Sequence, residues 1–77
     1  MNTKDRKLVI NTVNTKIGKA GWHATHIEPG GKHQKLWITN GQVTKFVTMS
    51  STPKGGFATV AKKIATDAWH TVNITKN

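Results

Sequence analysis

The residue types that could carry chemistry in this chain are concentrated between positions 33 and 46. His33 brings an imidazole, which accepts and donates protons near neutral pH, so it could act on a ribose 2′-hydroxyl or a leaving oxygen. Lys35 could pair with a phosphate group, and the rings of Trp37 and Phe46 could stack on unpaired bases. This combination predicts contact with RNA.

The spacing of these residues predicts that they share one face of a β-hairpin. Asn40-Gly41, a strong hairpin signal, separates two runs rich in β-branched and aromatic residues, at 33–39 and 42–49. A two-residue turn predicts that Thr39 opposes Gln42. Because side chains alternate along a strand, the face toward the helices would carry Leu36, Ile38, Val43 and Val47. The opposite, open face would carry His33, Lys35, Trp37, Thr44, Phe46 and Thr48.

Two structural explanations compete with ligand binding on this open face. Trp37 and Phe46 could cover one another as a diagonal cross-strand pair, or they could contact a second copy of the chain. A register slip of one residue would also exchange the two faces. The sequence leaves these alternatives open.

The charge balance favours a polyanionic partner. Twelve Lys and Arg residues face three acidic residues, which gives a formal net charge of +9. Such a field attracts nucleic acid first and an acidic protein second. The three acids are far apart in sequence, so we expect neither a two-metal nuclease site nor any cofactor. His23 and His26 would point to opposite faces of a strand, so they would not share a metal ion.

Two amphipathic helices and three strands are expected to position these side chains. Apolar stripes at helical spacing predict helices over residues 4 to 20 and 56 to 69. Residues 22 to 28 favour a first strand ahead of the hairpin. The order α-β-β-β-α predicts an α+β domain with both helices on one face of a three-stranded antiparallel sheet.

The length of 77 residues fits one domain, residues 1 to 77, with a core over about 4 to 69. Residues 70 to 77 are expected to form a flexible or extended tail. His70 would then lie just beyond the last helix and interact with its C-terminal carbonyl groups. The lack of cysteine, of a signal peptide and of a long apolar run favours a cytoplasmic protein that does not associate with membranes.

The order of the elements and several short motifs resemble those of HicA toxins, small basic ribonucleases with a double-stranded-RNA-binding-like fold. The resemblance covers residues 5 to 66 and rests on the order and spacing of five motifs. They are "GW" at 21–22, "GKH" at 31–33, "NG" at 40–41, "TKFVTMS" at 44–50 and "GGFATVAKKI" at 55–64. The chain departs from the family pattern where Lys32 replaces the motif serine and Leu36 replaces an aromatic residue. It also has Met49-Ser50 in place of the proline after the third strand.

The resemblance implies that His33 is the catalytic residue of an RNA cleavage that needs no metal, and that an antitoxin covers the protein. The 2′-hydroxyl of the RNA would be the nucleophile, and Lys32 and Lys35 would steady the phosphate. We expect nucleic acid to contact Lys32, Lys35, Trp37, Lys45, Phe46, Lys54, Lys62 and Lys63. The same residues also suit a non-catalytic nucleic-acid-binding module, or a regulator that docks on an acidic protein.

Overall fold

Two helices and three strands follow one another in the order α-β-β-β-α, as the sequence predicts. A computed structural model describes residues 3–50 and 55–74. The elements are α1 (Thr3–Ile17), a 3-10 turn (Gly18–Ala20), β1 (His23–Glu28), β2 (His33–Thr39), β3 (Thr44–Ser50) and α2 (Phe57–Ile74). The strands form one antiparallel sheet in the order β1-β2-β3. The predicted α+β class and architecture are therefore confirmed.

The first helix forms because its apolar residues recur every four positions. Val9, Val13 and Ile17 are completely buried and give α1 one continuous apolar stripe. The helix ends in the 3-10 turn and then at Gly21, whose φ of 82° is left-handed and favours glycine. The Gly21 N–H donates to the Gly18 carbonyl at 3.0 Å, which satisfies one of the last carbonyls of this segment.

The core lies between the two helices and one face of the sheet. Leu36 and Ile38 of β2 are completely buried, and Val47 of β3 is nearly so. The alternate residues of these strands point away from the helices and stay exposed or half-buried. The core consists of Trp22 and apolar residues from both helices and all three strands: Val9, Val13, Ile17, Trp22, Ala24, Ile27, Leu36, Ile38, Val47, Met49, Ala61, Ile64, Ala65, Ala68 and Val72.

The last helix is longer than predicted. It continues to Ile74, so the prediction of an extended or flexible tail from residue 70 is wrong for residues 70 to 74. Val72 lies four residues after Ala68, continues the apolar stripe and is only 2% exposed, so its burial stabilises the additional turn. His70 is consequently a residue within the helix and does not follow its end. No helix within residues 3–50 and 55–74 is both long and apolar enough to cross a bilayer.

The hairpin has a wider loop than the predicted two-residue turn. Thr39 opposes Thr44, not Gln42, so the connection spans residues 40 to 43. The Asn40 side chain causes the difference, because its Oδ1 atom accepts hydrogen bonds from two successive backbone N–H groups in the loop. These are the N–H groups of Gln42, at 2.9 Å, and of Val43, at 2.7 Å.

The observed register of β2 against β3 differs from the predicted one by two residues, so the two faces of β3 are not exchanged. Leu36 still shares its face with Val47, and Trp37 still shares its face with Phe46. Val43 is the exception. It was predicted to face the helices, but it lies in the loop and is 44% exposed.

Candidate nucleic-acid interface

A pair of aromatic rings occupies the middle of the open sheet face, defined here as the face of the sheet that the helices leave uncovered. Trp37 of β2 lies directly opposite Phe46 of β3, and their ring centroids are 5.1 Å apart with an interplanar angle of 55°. The observed register makes this a direct cross-strand pair, whereas the alternative considered from the sequence is a diagonal pair. Although the rings pack together, Phe46 remains 43% exposed, so the pair still offers an aromatic surface to a ligand.

His26 extends this pair into a row of three rings across all three strands. The centroids of the His26 and Trp37 rings are 6.4 Å apart, and the rings are inclined by only 18°. Lys35 adds a cation to the row, since its Nζ atom lies 4.9 Å from the centroid of the Phe46 ring. We call these residues, His26, Trp37 and Phe46 with Lys35, the ring row.

The sequence groups His26 with Trp22, as a histidine that could assist at the site, and a β-bulge explains why it lies beside Trp37 instead. The register of β1 against β2 shifts between Ala24 and His26, which leaves Thr25 as an extra residue. His23 pairs with Thr39 and His26 pairs with Trp37, so both histidines lie on the open face. The prediction that they point to opposite faces is wrong, because strict alternation does not hold across a bulge.

Thr25 connects the bulge to the ring row. Its hydroxyl lies 3.2 Å from the carbonyl oxygen of Trp37, to which it can donate, and 3.0 Å from Nδ1 of the His26 ring. These contacts tie the His26 side chain and the β2 backbone to the same hydroxyl group. The position of the third ring is therefore supported by the local structure of the bulge.

His33 lies on the same open face, at the beginning of β2. It is exposed, opposes Ser50 of β3 and lies two positions before Lys35. Lys35 in turn opposes Glu28 of β1, so Glu28 is diagonal to His33. Diagonal neighbours have Cβ atoms about 7–8 Å apart, a distance that long side chains can bridge. Sequence reasoning considered Glu28 only as a metal ligand and did not connect it with His33.

The loop before His33 depends on a glycine at position 30. A Cβ atom added to Gly30 would overlap the carbonyl oxygen of His33, because the backbone of the loop runs directly against the start of β2. A side chain at this position would require the backbone to move. Gly30 thereby fixes how the chain enters the strand that carries His33.

We expect Gly30→Ala to destabilise the protein by about 1–3 kcal/mol through overpacking and to displace His33. Gly31→Ala is the matched control, because a Cβ atom there would meet no described atom within 4 Å. Urea denaturation measures the stability of both variants, and backbone amide shifts at His33 report its displacement. Equal effects of the two substitutions would contradict this account of the loop.

The remaining lysines predicted to contact nucleic acid do not all reach the open face. Lys32 is exposed in the turn beside His33. Lys45 is half-buried and points toward the helix side, since it opposes the buried Ile38. Lys62 and Lys63 are exposed on α2, in the layer behind the sheet. Lys54 lies outside the described residues.

Within the described parts of the chain, no group of three or more His, Cys, Asp or Glu side chains could hold a metal ion. The protein matches no family model, no curated protein and no solved structure, so the resemblance to HicA toxins stays a prediction.

Proposed function

We propose that the protein binds unpaired RNA across the open sheet face and cleaves it without a metal ion, with His33 as general acid and base. The observation that carries the proposal is the ring row, with an ammonium group 4.9 Å from one of its rings. A cytoplasmic location would suit this function, because RNA is accessible there. An antitoxin or another acidic protein that covers the open face would inhibit it.

The ring row supports recognition of a single strand. Bases of unpaired RNA can spread apart and stack on separate aromatic rings, whereas bases inside a duplex cannot. Each such stack contributes about 1–3 kcal/mol and tolerates any base, because every base has a π-face. Lys35 beside the rings would pair with the phosphate that links two stacked nucleotides, and the net charge of +9 would draw the strand to the surface.

The neighbourhood of His33 supports cleavage by the RNA's own 2′-hydroxyl. The 2′-oxygen would attack the adjacent phosphorus while His33 accepts its proton, and the bond from phosphorus to the 5′-oxygen would break. The products would be a 2′,3′-cyclic phosphate and a 5′-hydroxyl, whose oxygen receives the proton that His33 had accepted. Lys35, on the same face and two residues away, would stabilise the negative charge on the phosphate oxygens. Glu28, opposite Lys35, supplies a carboxylate that could orient the His33 imidazole.

Phe46→Ala is expected to weaken binding of a single-stranded RNA by about 1–3 kcal/mol, because it removes one stacking surface. Val43→Ala is the matched control, since Val43 is equally exposed but lies in the hairpin loop. Fluorescence anisotropy with a labelled oligonucleotide measures both affinities. If the two variants bind as tightly as the wild type, the ring row does not bind RNA.

A non-catalytic RNA-binding module is the second candidate, and the same ring row favours it, because stacking needs no proton transfer. In either case each lysine–phosphate contact contributes about 0.7 to the slope of log affinity against log salt for a single strand. Replacing Lys35 by alanine should therefore reduce that slope by about this amount. The two candidates differ in whether RNA is cleaved.

A further inference from the structure

A groove between α1 and α2 lies in the helical layer, behind the open sheet face. Its volume is about 460 Å³, within the range of small-molecule sites. The walls carry two kinds of polar side chain, the lysines Lys16, Lys19 and Lys62 and the threonines Thr12, Thr15 and Thr66. We call this the inter-helix groove.

The lysines give the inter-helix groove a concentrated positive charge. Among the described residues, none that lines the groove carries a carboxylate. Glu28 is on β1, and Asp67 lines a different groove, between α2 and β3. Because three lysines line one concave surface, an anion with several charges could pair with more than one of them at once.

The threonines present hydrogen-bond acceptors to a ligand. Thr12 donates its hydroxyl hydrogen to the Leu8 carbonyl at 2.8 Å, and Thr15 donates to the Asn11 carbonyl at 2.9 Å. Thr66 donates in the same way to the carbonyl of Lys62 at 3.1 Å. Because these hydrogens are already engaged, the oxygen lone pairs remain available for ligand O–H or N–H groups.

A tryptophan adjoins the same lysines. Trp69 is half-buried and lines a smaller cavity of about 120 Å³ together with Lys16 and Lys19. The Nζ atom of Lys16 lies 5.8 Å from the centroid of the Trp69 ring, a cation–π distance. An aromatic surface therefore adjoins the positive charge.

We propose that the inter-helix groove binds a free nucleoside phosphate. The phosphates lie among Lys16, Lys19 and Lys62, the base contacts Trp69, and threonine oxygens accept hydrogen bonds from ribose hydroxyl or base amino groups. The phosphates and the ribose match features of the inter-helix groove, and the base matches the ring of Trp69 in the smaller cavity that shares Lys16 and Lys19 with it. Neither inorganic phosphate nor an uncharged nucleoside would match all three. The site is on the other layer from the ring row and does not depend on RNA binding there.

Isothermal titration of the full chain with ATP tests the proposal, with two lysine variants compared. Lys62→Ala should weaken ATP binding about tenfold or more, through loss of a charge-assisted contact to phosphate. Lys63→Ala removes the same charge from the next position of α2, outside the groove lining, and should change the affinity by less than about twofold. Equal weakening by the two variants would show attraction to general positive charge and would overturn the proposal, as would the absence of ATP binding to the wild type.

The base contact is tested by comparing ATP with inorganic tripolyphosphate on the wild-type protein. ATP should bind at least about fivefold more tightly, because stacking on an aromatic ring adds about 1 kcal/mol or more. Equal affinities would overturn the assignment of a nucleoside ligand. Phe46→Ala removes a ring of the ring row, so loss of ATP binding in this variant would assign the nucleotide to the ring row and overturn the proposal. Retained ATP binding together with weakened RNA binding would separate the two sites.

Discussion

Replacement of His33 by alanine is expected to reduce the rate of RNA cleavage by about 10²–10⁴-fold, the usual contribution of a general acid–base group. RNA affinity should change little, because His33 is not part of the ring row. The assay uses purified protein and labelled RNA in EDTA, with the cleavage rate and the chemical form of the new ends as readouts. A 2′,3′-cyclic phosphate end is expected from the wild type.

The controls separate catalysis by His33 from its alternatives. His70→Ala removes an exposed histidine from α2 and should leave the cleavage rate unchanged. A substrate with a single 2′-deoxy position should resist cleavage there, because it lacks the nucleophile. If wild type and His33→Ala both leave RNA intact, the protein is the non-catalytic module. If both degrade it at the same rate, His33 has no role in the reaction.

For the paired residues of β2 and β3, the sheet face of each side chain could be predicted from the sequence even though the hairpin register could not. The Asn40-Gly41 pair indicates a turn but does not determine its length, which depends on the hydrogen bonds of the Asn40 side chain. The predicted register differs from the observed one by two residues, and because side chains alternate with a period of two, each paired residue keeps its face. The open face therefore retains Lys35, Trp37 and Phe46 as predicted.

The third ring of the ring row could not be predicted, because it depends on the bulge at Thr25. Alternation counted from His23 places His26 on the opposite face, and nothing in the local sequence marks the position of an extra residue. The bulge also brings His26 beside Trp37, whose backbone carbonyl is within hydrogen-bonding distance of the Thr25 hydroxyl. A candidate site that spans neighbouring strands thus requires the actual pairing of those strands.

The inter-helix groove could not be predicted from the sequence, for a similar reason. The sequence predicts that Lys62 contacts nucleic acid because it extends a positive surface beside the loop that enters α2. Helical periodicity shows only that it lies off the apolar stripe of α2. Its juxtaposition with Lys16 and Lys19 depends on how the two helices pack against each other. The sequence therefore indicates the charge of this surface, while the packing of α1 against α2 determines its shape.

Leu36→Ala is expected to lower the free energy of unfolding by about 2–5 kcal/mol, because the Leu36 side chain is completely buried between the sheet and the helices. A domain of this size has a total stability of about 4–12 kcal/mol, so the variant would lose a large part of it and unfold at a lower temperature than the wild type. Urea denaturation followed by far-UV circular dichroism measures the loss.

A comparison of Leu36→Ala with Phe46→Ala tests which face of the sheet the helices cover. Phe46→Ala should cost less than about 1.5 kcal/mol of stability, because its ring is 43% exposed and leaves no enclosed cavity, yet it should weaken RNA binding. Leu36→Ala should behave in the opposite way, with normal RNA affinity at temperatures where it remains folded. If instead the Phe46 substitution unfolds the protein while the Leu36 substitution is tolerated, the helices cover the other face of the sheet. The ring row would then be part of the core, and RNA could not reach it.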